Sequence, residues 1–133
     1  MQKVVYTGVF VDSKDLTHKL SMHGVKRTKL WREIPNTHVT FQYRPETVDE
    51  SLFGSPVDIR VVGYGVNSQN EGLLVEIFCH NEKVQEIFCE HVEVPHITLS
   101  VSEDGKPVNT RYVDFFQIED PFTIQGVYDA FRG

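Results

Sequence analysis

The sequence predicts an α+β protein built as two similar lobes, and three observations support this prediction. β-branched and aromatic runs alternate with two short stretches that have helical apolar spacing. The order strand, helix, strand occurs twice, over residues 3–43 and over residues 72–101. Each of these units ends in a strand that carries the pattern histidine, apolar, threonine, apolar. We therefore expect two pseudo-symmetric lobes, each presenting one such strand.

The first half of the chain begins with a β-branched and aromatic run over residues 3–12, which predicts a strand. A helix is predicted over residues 13–24, where two leucines lie four positions apart. Asp12 or Ser13 is suited to cap its N-terminus, and Gly24 is suited to end it. A basic segment follows and leads into the first of the two histidine strands.

The second half contains the remaining predicted elements. Residues 43–56 are predicted to form a loop, because two prolines and a glycine punctuate them. Two strands, 57–66 and 72–80, are joined by the hairpin-like connection NSQNE. A second short helix is predicted over residues 81–90, and it leads into the second histidine strand. A closing strand is predicted over residues 121–131.

Length and composition indicate a single two-lobed domain over residues 1–133. The chain is 40% hydrophobic, with nine Phe, five Tyr and one Trp, which is enough apolar bulk for one core. Its formal net charge is −6, and such a charge argues against coating a long nucleic acid, since that mode of binding neutralises many phosphates. A local basic patch could still hold a small anionic ligand or one end of a strand.

The two cysteines, Cys79 and Cys89, bear on the compartment. No secretory signal is recognisable at the N-terminus, so two reduced thiols in the cytoplasm are the expected state. No apolar run approaches the length that is needed to span a bilayer. We expect a cytoplasmic protein without a membrane partner, and a monomer is the default.

The two histidine strands have the sequences THVTFQYR and PHITLSVS. Side chains two positions apart on a strand share a face, about 6.5 Å apart, so His38 lies beside Thr40 and His96 lies beside Thr98. Tyr43 has the opposite parity to His38, which predicts packing in the core. With this composition, the four-residue pattern is expected by chance about 0.06 times. Two occurrences therefore indicate more than an ordinary half-exposed strand.

Paired imidazoles and hydroxyls suit one kind of chemistry. Two imidazoles that face each other across a cleft can act as the general base and the general acid of one in-line displacement. Threonine hydroxyls beside them can donate hydrogen bonds to the non-bridging oxygens of a phosphate. A 2′,3′-cyclic phosphate fits this arrangement, and the reaction requires neither a metal nor another cofactor.

The segments HVTF and HITL resemble the paired motif of the two-histidine (2H) phosphoesterase superfamily. Further segments resemble its branch of cyclic phosphodiesterases and RNA-repair proteins related to tRNA ligase: YTGVFVD, LFGSPVDIRVVGYGV, VPHITLSVSEDGKPVNT and IQGVYDAF. The resemblance covers nearly the whole chain, although only the histidine motifs are specific. It implies two lobes, each a small, mainly antiparallel sheet with a helix, around a central cleft.

The same resemblance implies a function and a set of catalytic residues. The catalytic residues would be His38, Thr40, His96 and Thr98, with His96 as the base for water and His38 as the acid. The substrate would be a nucleotide or RNA end that carries a 2′,3′-cyclic phosphate, opened to a 2′-phosphate, or a 2′–5′ linkage. The two histidines are closer in sequence than in many members of the family, which predicts shorter loops around the substrate.

Five further residues are candidates for substrate binding. Lys26 and Lys29 belong to a locally basic segment around Trp31, which could guide a phosphodiester to the cleft and stack on a base. The alternative is a solvated basic loop whose tryptophan is buried in the core. Arg111 and Tyr6 are candidates with less support from the pattern, and the sequence does not decide whether Tyr6 lines the cleft.

Three rival interpretations remain. A zinc site could use the Cys79–His80 and Cys89–His91 segments, but neither spacing matches a zinc knuckle or ribbon. Within the same chemistry, a phage-type 2H nuclease would cleave cyclic oligonucleotide signals. From a different class, a binding module would hold a nucleotide or RNA end without turning it over. Two intact motifs favour an enzyme, because a binder needs no acid and base.

Overall fold

The computed structural model describes residues 3–27, 31–34 and 36–133. Its elements are β1 (Val4–Phe10), α1 (Ser13–Met22), β2 (Arg32–Glu33), β3 (His38–Tyr43), β4 (Pro56–Val66), β5 (Asn70–Cys79), α2 (Glu82–His91), β6 (His96–Val101) and β7 (Phe116–Arg132), with 3₁₀ helices at Glu50–Leu52 and Pro107–Tyr112. The strand pairings in these residues are antiparallel. The predicted α+β class with an antiparallel sheet is therefore confirmed.

The seven strands form one sheet in the order β2-β6-β5-β4-β7-β1-β3. The first and last strands of this order belong to one stretch of chain, residues 32–43. β2 pairs with β6 by placing Glu33 opposite Ser100, and the Ile34 N–H extends this pairing by donating to the Leu99 carbonyl at 3.4 Å. β3 pairs instead with β1. The sheet therefore curves until both of its edges belong to the same segment, and β3 comes within 8 Å of β6 between Cα atoms.

Both predicted helices form, and polar side chains cap them. The Asp12 carboxylate, rather than Ser13, caps α1 by accepting hydrogen bonds from the backbone N–H groups of Lys14 and Asp15. The Asn81 side chain caps α2 in the same way. Gly24 follows α1 with a φ of +72°, a left-handed conformation that glycine adopts at little cost. Each helix thus begins three residues after the last residue of the strand that precedes it.

One face of the sheet is the core face, and the helices pack against it. α1 contributes Leu16 and Leu20, and α2 contributes Val84, each almost completely buried. The other face carries the motif histidines and is called the open face below. The strands contribute the largest share of the core: Val9, Val39, Phe41, Val57, Ile59, Val61, Leu73, Val75, Ile77, Ile97, Leu99, Phe122, Ile124 and Tyr128.

A β-bulge interrupts β3 and overturns one prediction. The register between β1 and β3 shifts next to Thr7, which leaves Phe41 as an extra residue. Gln42 consequently turns toward Thr7, whose hydroxyl donates to its side-chain oxygen at 2.9 Å. Tyr43 pairs with Tyr6 and is 66% exposed. The prediction that Tyr43 packs in the core was wrong, because simple alternation fails across a bulge.

Three further features differ from the predicted elements. β2 was not predicted, since two residues in a basic stretch show no alternation, and the strand exists only through its pairing with β6. The 3₁₀ helix Pro107–Tyr112 was also not predicted, and β7 begins five residues earlier than expected.

Neither of the two α-helices that the structure describes is long and apolar enough to cross a membrane.

Candidate active site

The two motif strands approach each other at the edges of the sheet. Residues 32–34 pair antiparallel with β6, and β3, which follows them in the chain, comes within 8 Å of β6 between Cα atoms. His38 is the first residue of β3, and His96 is the first residue of β6. Burial lowers the pKa of His38, and the charge of a protonated His96 acts in the same direction.

Both histidines make the same local hydrogen bond. Nδ1 of His38 bonds to the backbone carbonyl of Asn36, and Nδ1 of His96 bonds to the carbonyl of Val94 at 2.8 Å. A carbonyl oxygen can only accept, so Nδ1 carries the proton in each ring. Nε2 is consequently the nitrogen that is left to exchange a proton with a substrate, and it has the same role in both motifs.

Burial lowers the pKa of both imidazoles. For His38, burial is the largest cause and the charge of His96 adds to it, while the hydrogen bond to Asn36 acts in the opposite direction. For His96, burial is again the largest cause and the charge of Arg111 adds to it. Both rings are therefore mainly neutral at neutral pH in the free protein. A phosphate dianion or monoanion between them would raise both pKa values.

Tyr6 lies directly against His38. The two rings stack with centroids 4.4 Å apart and an interplanar angle of 20°, and the tyrosine hydroxyl is 3.3 Å from Nδ1. Phe131 stacks on Tyr6 at 5.3 Å, and Phe10 lies 5.7 Å from the imidazole. This aromatic group holds the plane of the His38 ring and contributes to its burial. Tyr6 therefore lines the candidate site, beside the first histidine.

The two motif threonines have different surroundings. Thr40 is an exposed residue two positions beyond His38 on β3. Thr98 is only 9% exposed, and its hydroxyl oxygen lies 3.1 Å from the Pro107 carbonyl oxygen and 2.8 Å from the Thr110 hydroxyl. The 3₁₀ helix Pro107–Tyr112 thus covers this part of β6. Donation from Thr98 to a phosphate requires its proton to turn away from these two acceptors.

Two buried residues that the sequence did not single out hold this arrangement in place. Thr110 is fully buried and accepts a hydrogen bond at 3.0 Å from the side-chain NH₂ of Asn70. Asn70 also donates to the carbonyl of Lys106 at 2.8 Å. These bonds fix the 3₁₀ helix against β5 and hence against Thr98. Their partners lie 36 or 40 positions apart in sequence, so no local pattern predicts them.

Arg111 extends from the same 3₁₀ helix into electrostatic reach of His96, whose pKa it lowers. Its guanidinium donates to a carboxylate oxygen of Glu93 at 3.1 Å and lies 5.4 Å from the centre of the Tyr112 ring. This position is compatible with the predicted role of Arg111 in binding a phosphate. The contact with Glu93 is exposed, so a substrate phosphate could compete for the guanidinium.

Trp31 and Arg32, the end of the basic segment before the first motif, lie beside β6. Trp31 is half-buried, and its backbone N–H donates to the Ser100 hydroxyl at 3.4 Å, four residues beyond His96. Lys26 is exposed, and no contact joins it to either motif histidine within residues 3–27, 31–34 and 36–133. Lys29 lies outside the described residues. Stacking of Trp31 on a base therefore stays a prediction.

Glu71 and Arg27 form a buried ion pair that sequence reasoning missed. Glu71 is fully buried, and Arg27 donates to both of its oxygens, with the shortest contact at 2.5 Å. Tyr64 donates to the same carboxylate at 2.5 Å and Ser100 donates at 2.7 Å. Burial opposes ionisation of Glu71, yet these hydrogen bonds and the charge of Arg27 lower its pKa. The network ties β5 to β6 and to the basic segment.

Cys79 and Cys89 are free thiols, and burial raises the pKa of Cys79 to about 11. In the described part of the chain, no three His, Cys, Asp or Glu side chains are grouped so that they could hold a metal ion.

No protein-family model matches this chain, and no curated protein matches it. Membership of the 2H superfamily therefore remains a prediction from the two motifs. The functional argument below depends on the geometry of the site itself.

Proposed function

We propose that this chain is a metal-independent phosphodiesterase that opens 2′,3′-cyclic phosphates of nucleotides or RNA ends. The observation that carries the proposal is the hydrogen bond that both motif histidines make from Nδ1 to the carbonyl two residues earlier. It leaves Nε2 free in both rings, on two strands that approach each other. One imidazole can then remove a proton while the other supplies one.

In the proposed reaction, His96 is the base and His38 is the acid. Nε2 of neutral His96 removes a proton from water, whose oxygen bonds to phosphorus. The bond from phosphorus to the ribose O3′ breaks, and O3′ takes the Nε2 proton of protonated His38. The product is a 2′-phosphate, and solvent exchange restores both protonation states. The charge of Arg111 supports this assignment, because it favours the neutral form that a base requires.

The remaining groups would hold the charge of the phosphate. Thr40 can donate from the open face beside His38, and Arg111 can supply positive charge beside His96. Thr98 would join them once its proton turns from Pro107 or Thr110 to a phosphate oxygen. In neither protonation state does an imidazole have to give up its bond to the backbone, so the rings keep their orientation through the reaction.

The strand order supports the two-lobed 2H fold as part of this proposal. In the half β6-β5-β4, the motif strand β6 lies beside β5, which leads into α2. In the half β3-β1-β7, the motif strand β3 lies beside β1, which leads into α1. A pseudo-twofold axis between β4 and β7 would exchange the halves and bring the motif strands to one cleft.

The free thiols fit the cytoplasm as the proposed compartment.

The proposal is tested with 2′,3′-cyclic AMP and a short RNA that ends in a cyclic phosphate, both in excess chelator. We expect hydrolysis to 2′-phosphate products, identified by chromatography. The plot of kcat/KM against pH is expected to be bell-shaped. Each limb of this curve gives the pKa of one imidazole in the free protein, and both pKa values are lowered from 6.5. The maximum of the curve should therefore lie below pH 6.5. A requirement for added metal would contradict the mechanism.

A non-catalytic binding module is the second candidate, and the surroundings of Thr98 favour it. In this structure the Thr98 hydroxyl is engaged by Pro107 and Thr110, as expected for a structural residue. Such a module would bind 2′-AMP but form no product from 2′,3′-cyclic AMP. The same incubation therefore separates the two candidates.

A further inference from the structure

The two motif histidines differ in the groups that act on their rings. Both make the same hydrogen bond from Nδ1 to a backbone carbonyl. The charge of Arg111 acts on His96, where it disfavours the protonated ring. His38 instead stacks on Tyr6, with the ring centroids 4.4 Å apart and the planes at 20°. One imidazole is therefore influenced by a cation and the other by the face of an aromatic ring.

The register of β1 and β3 brings Tyr6 to His38. Phe10 on β1 is the direct partner of His38, and Tyr6, four residues before Phe10, shares its face of the sheet. Gly8 lies between them, and a Cβ there would lie 2.1 Å from the Val39 carbonyl oxygen, so the close approach of β3 requires glycine. With no side chain at Gly8, the imidazole contacts both rings, Tyr6 and Phe10.

The Tyr6 ring is itself fixed by its neighbours. Phe131 is its partner on β7, and the two rings stack at 5.3 Å and 15°. Phe10 stacks on it at 5.8 Å and 19°. The face of an aromatic ring is negative, and it attracts a cation that lies within about 6 Å of its centroid. The stack on Tyr6 therefore stabilises the imidazolium form of His38 more than the neutral form.

Other groups around His38 act in both directions. Burial and the charge of a protonated His96 lower the pKa of His38, whereas the hydrogen bond to the Asn36 carbonyl raises it. Asp129 on β7 is separated from β3 by β1, where it pairs with Gly8, and its carboxylate accepts a hydrogen bond from the Ala130 N–H. The Tyr6 hydroxyl lies 3.3 Å from Nδ1, whose proton it can accept as a second oxygen beside the Asn36 carbonyl.

We propose that Tyr6 is a positioning residue whose ring favours protonated His38 and thereby makes this histidine the acid of the pair. The proposal rests on the proposed function, because it takes the acid role from that mechanism. Tyr6 has the opposite effect on His38 to the one that Arg111 has on His96. The two neighbours thus distinguish two histidines that have the same local hydrogen bond.

The test changes the electrostatics of the Tyr6 ring without removing the ring. Three variants carry phenylalanine, trifluorophenylalanine or pentafluorophenylalanine at position 6, because fluorination weakens and then reverses the negative face of the ring. The titration of His38 is followed by NMR, with its signal assigned as the one absent from H38A. Pentafluorophenylalanine in place of Tyr43 is the matched control. Tyr43 pairs with Tyr6, is 66% exposed and has the Arg44 guanidinium 5.3 Å from its ring centroid.

We expect Tyr6→Phe to titrate like the wild type. In the pentafluoro variant at position 6, the affinity of His38 for its proton should fall about 2- to 30-fold, the range for loss of one cation–π contact. The trifluoro variant should lie between them, and the control at position 43 should not change. Equal titration of His38 in the phenylalanine and pentafluoro variants, or an equal change in the control, would overturn the proposal.

The pH dependence of turnover gives a second readout that a merely structural role would not change. Above the pKa of both histidines, kcat/KM depends on the fraction of His38 that is still protonated, so it should be lower in the pentafluoro variant than in Tyr6→Phe. Below both pKa values the two variants should be equal. Equal kcat/KM at every pH would overturn the proposal. The expected titration without hydrolysis of 2′,3′-cyclic AMP by the wild type would retain the effect of Tyr6 on His38 and reject only the catalytic function.

Discussion

Replacing either motif histidine with alanine is expected to lower kcat for 2′,3′-cyclic AMP by about 10³-fold, within the range of 10²- to 10⁴-fold for general acid–base catalysis. In H96A, no group remains to take the proton of the attacking water. In H38A, the ribose oxygen must leave without a proton. The double variant should be little worse than either single variant, because the two groups act in one step.

His80→Ala is the matched control for both substitutions. His80 is half-exposed and contacts Asp58 at 3.0 Å, away from the two motif strands. We expect H80A to keep the wild-type kcat, and circular dichroism should show that all three variants are folded. Wild-type turnover in folded H38A or H96A would contradict the assignment of these residues as acid and base.

Glu71→Ala is expected to reduce the free energy of unfolding by about 3–5 kcal/mol, the usual cost of removing one partner of a buried ion pair. The substitution leaves Arg27, whose side chain is only 16% exposed, with the exposed Glu33 as its carboxylate partner. It also removes the acceptor of the Tyr64 and Ser100 hydroxyls. Urea unfolding followed by circular dichroism measures the change, and Tyr64→Phe, which removes one donor, should cost about 1 kcal/mol.

The stabilisation from Glu71 should depend on pH. Its pKa is lower in the folded protein than in the unfolded chain, so the folded state binds this proton less readily. The contribution is complete above the ordinary carboxyl range and is lost as the pH falls through the folded pKa. The difference between the wild type and E71A should therefore shrink in acid.

Glu76→Ala serves as the control for the Glu71 substitution. Glu76 lies on the same strand and is half-exposed, and its contact with Arg60 is 3.9 Å long. An exposed pair of this kind contributes about 0–1 kcal/mol. If E71A were no less stable than E76A, Glu71 would not anchor the second motif strand.

Local sequence signals predicted the parts of the fold that depend on local physics. Asp12 was a predicted cap and does cap α1, and the second predicted helix also forms, although its cap, Asn81, was not predicted. Alternation also identified both motif strands and placed Val39 and Ile97 in the core. These features follow from periodicity and capping, which act within a few residues.

Features that depend on distant partners could not be predicted. The pairing of β2 with β6 adds an edge strand to the sheet, yet no local pattern in Arg32 and Glu33 predicts it. Tyr43 is exposed because the β-bulge in the pairing of β3 with β1 reverses the alternation of side chains after Phe41. Thr98 shows the same limit within the site, since its parity predicts an open hydroxyl, whereas a 3₁₀ helix nine to twelve residues away covers it.

The central claim is that His38 and His96 present Nε2 to one phosphate, and a crystal structure of the complex with 2′-AMP tests it most directly. We predict that Nε2 of each ring lies about 2.7–3.2 Å from an oxygen of the bound phosphate, the usual range for such a hydrogen bond. Both Nδ1 atoms should still bond to the carbonyls of Asn36 and Val94. A phosphate that contacts only one of the two rings, or rings whose Nε2 atoms point away from each other, would contradict the claim.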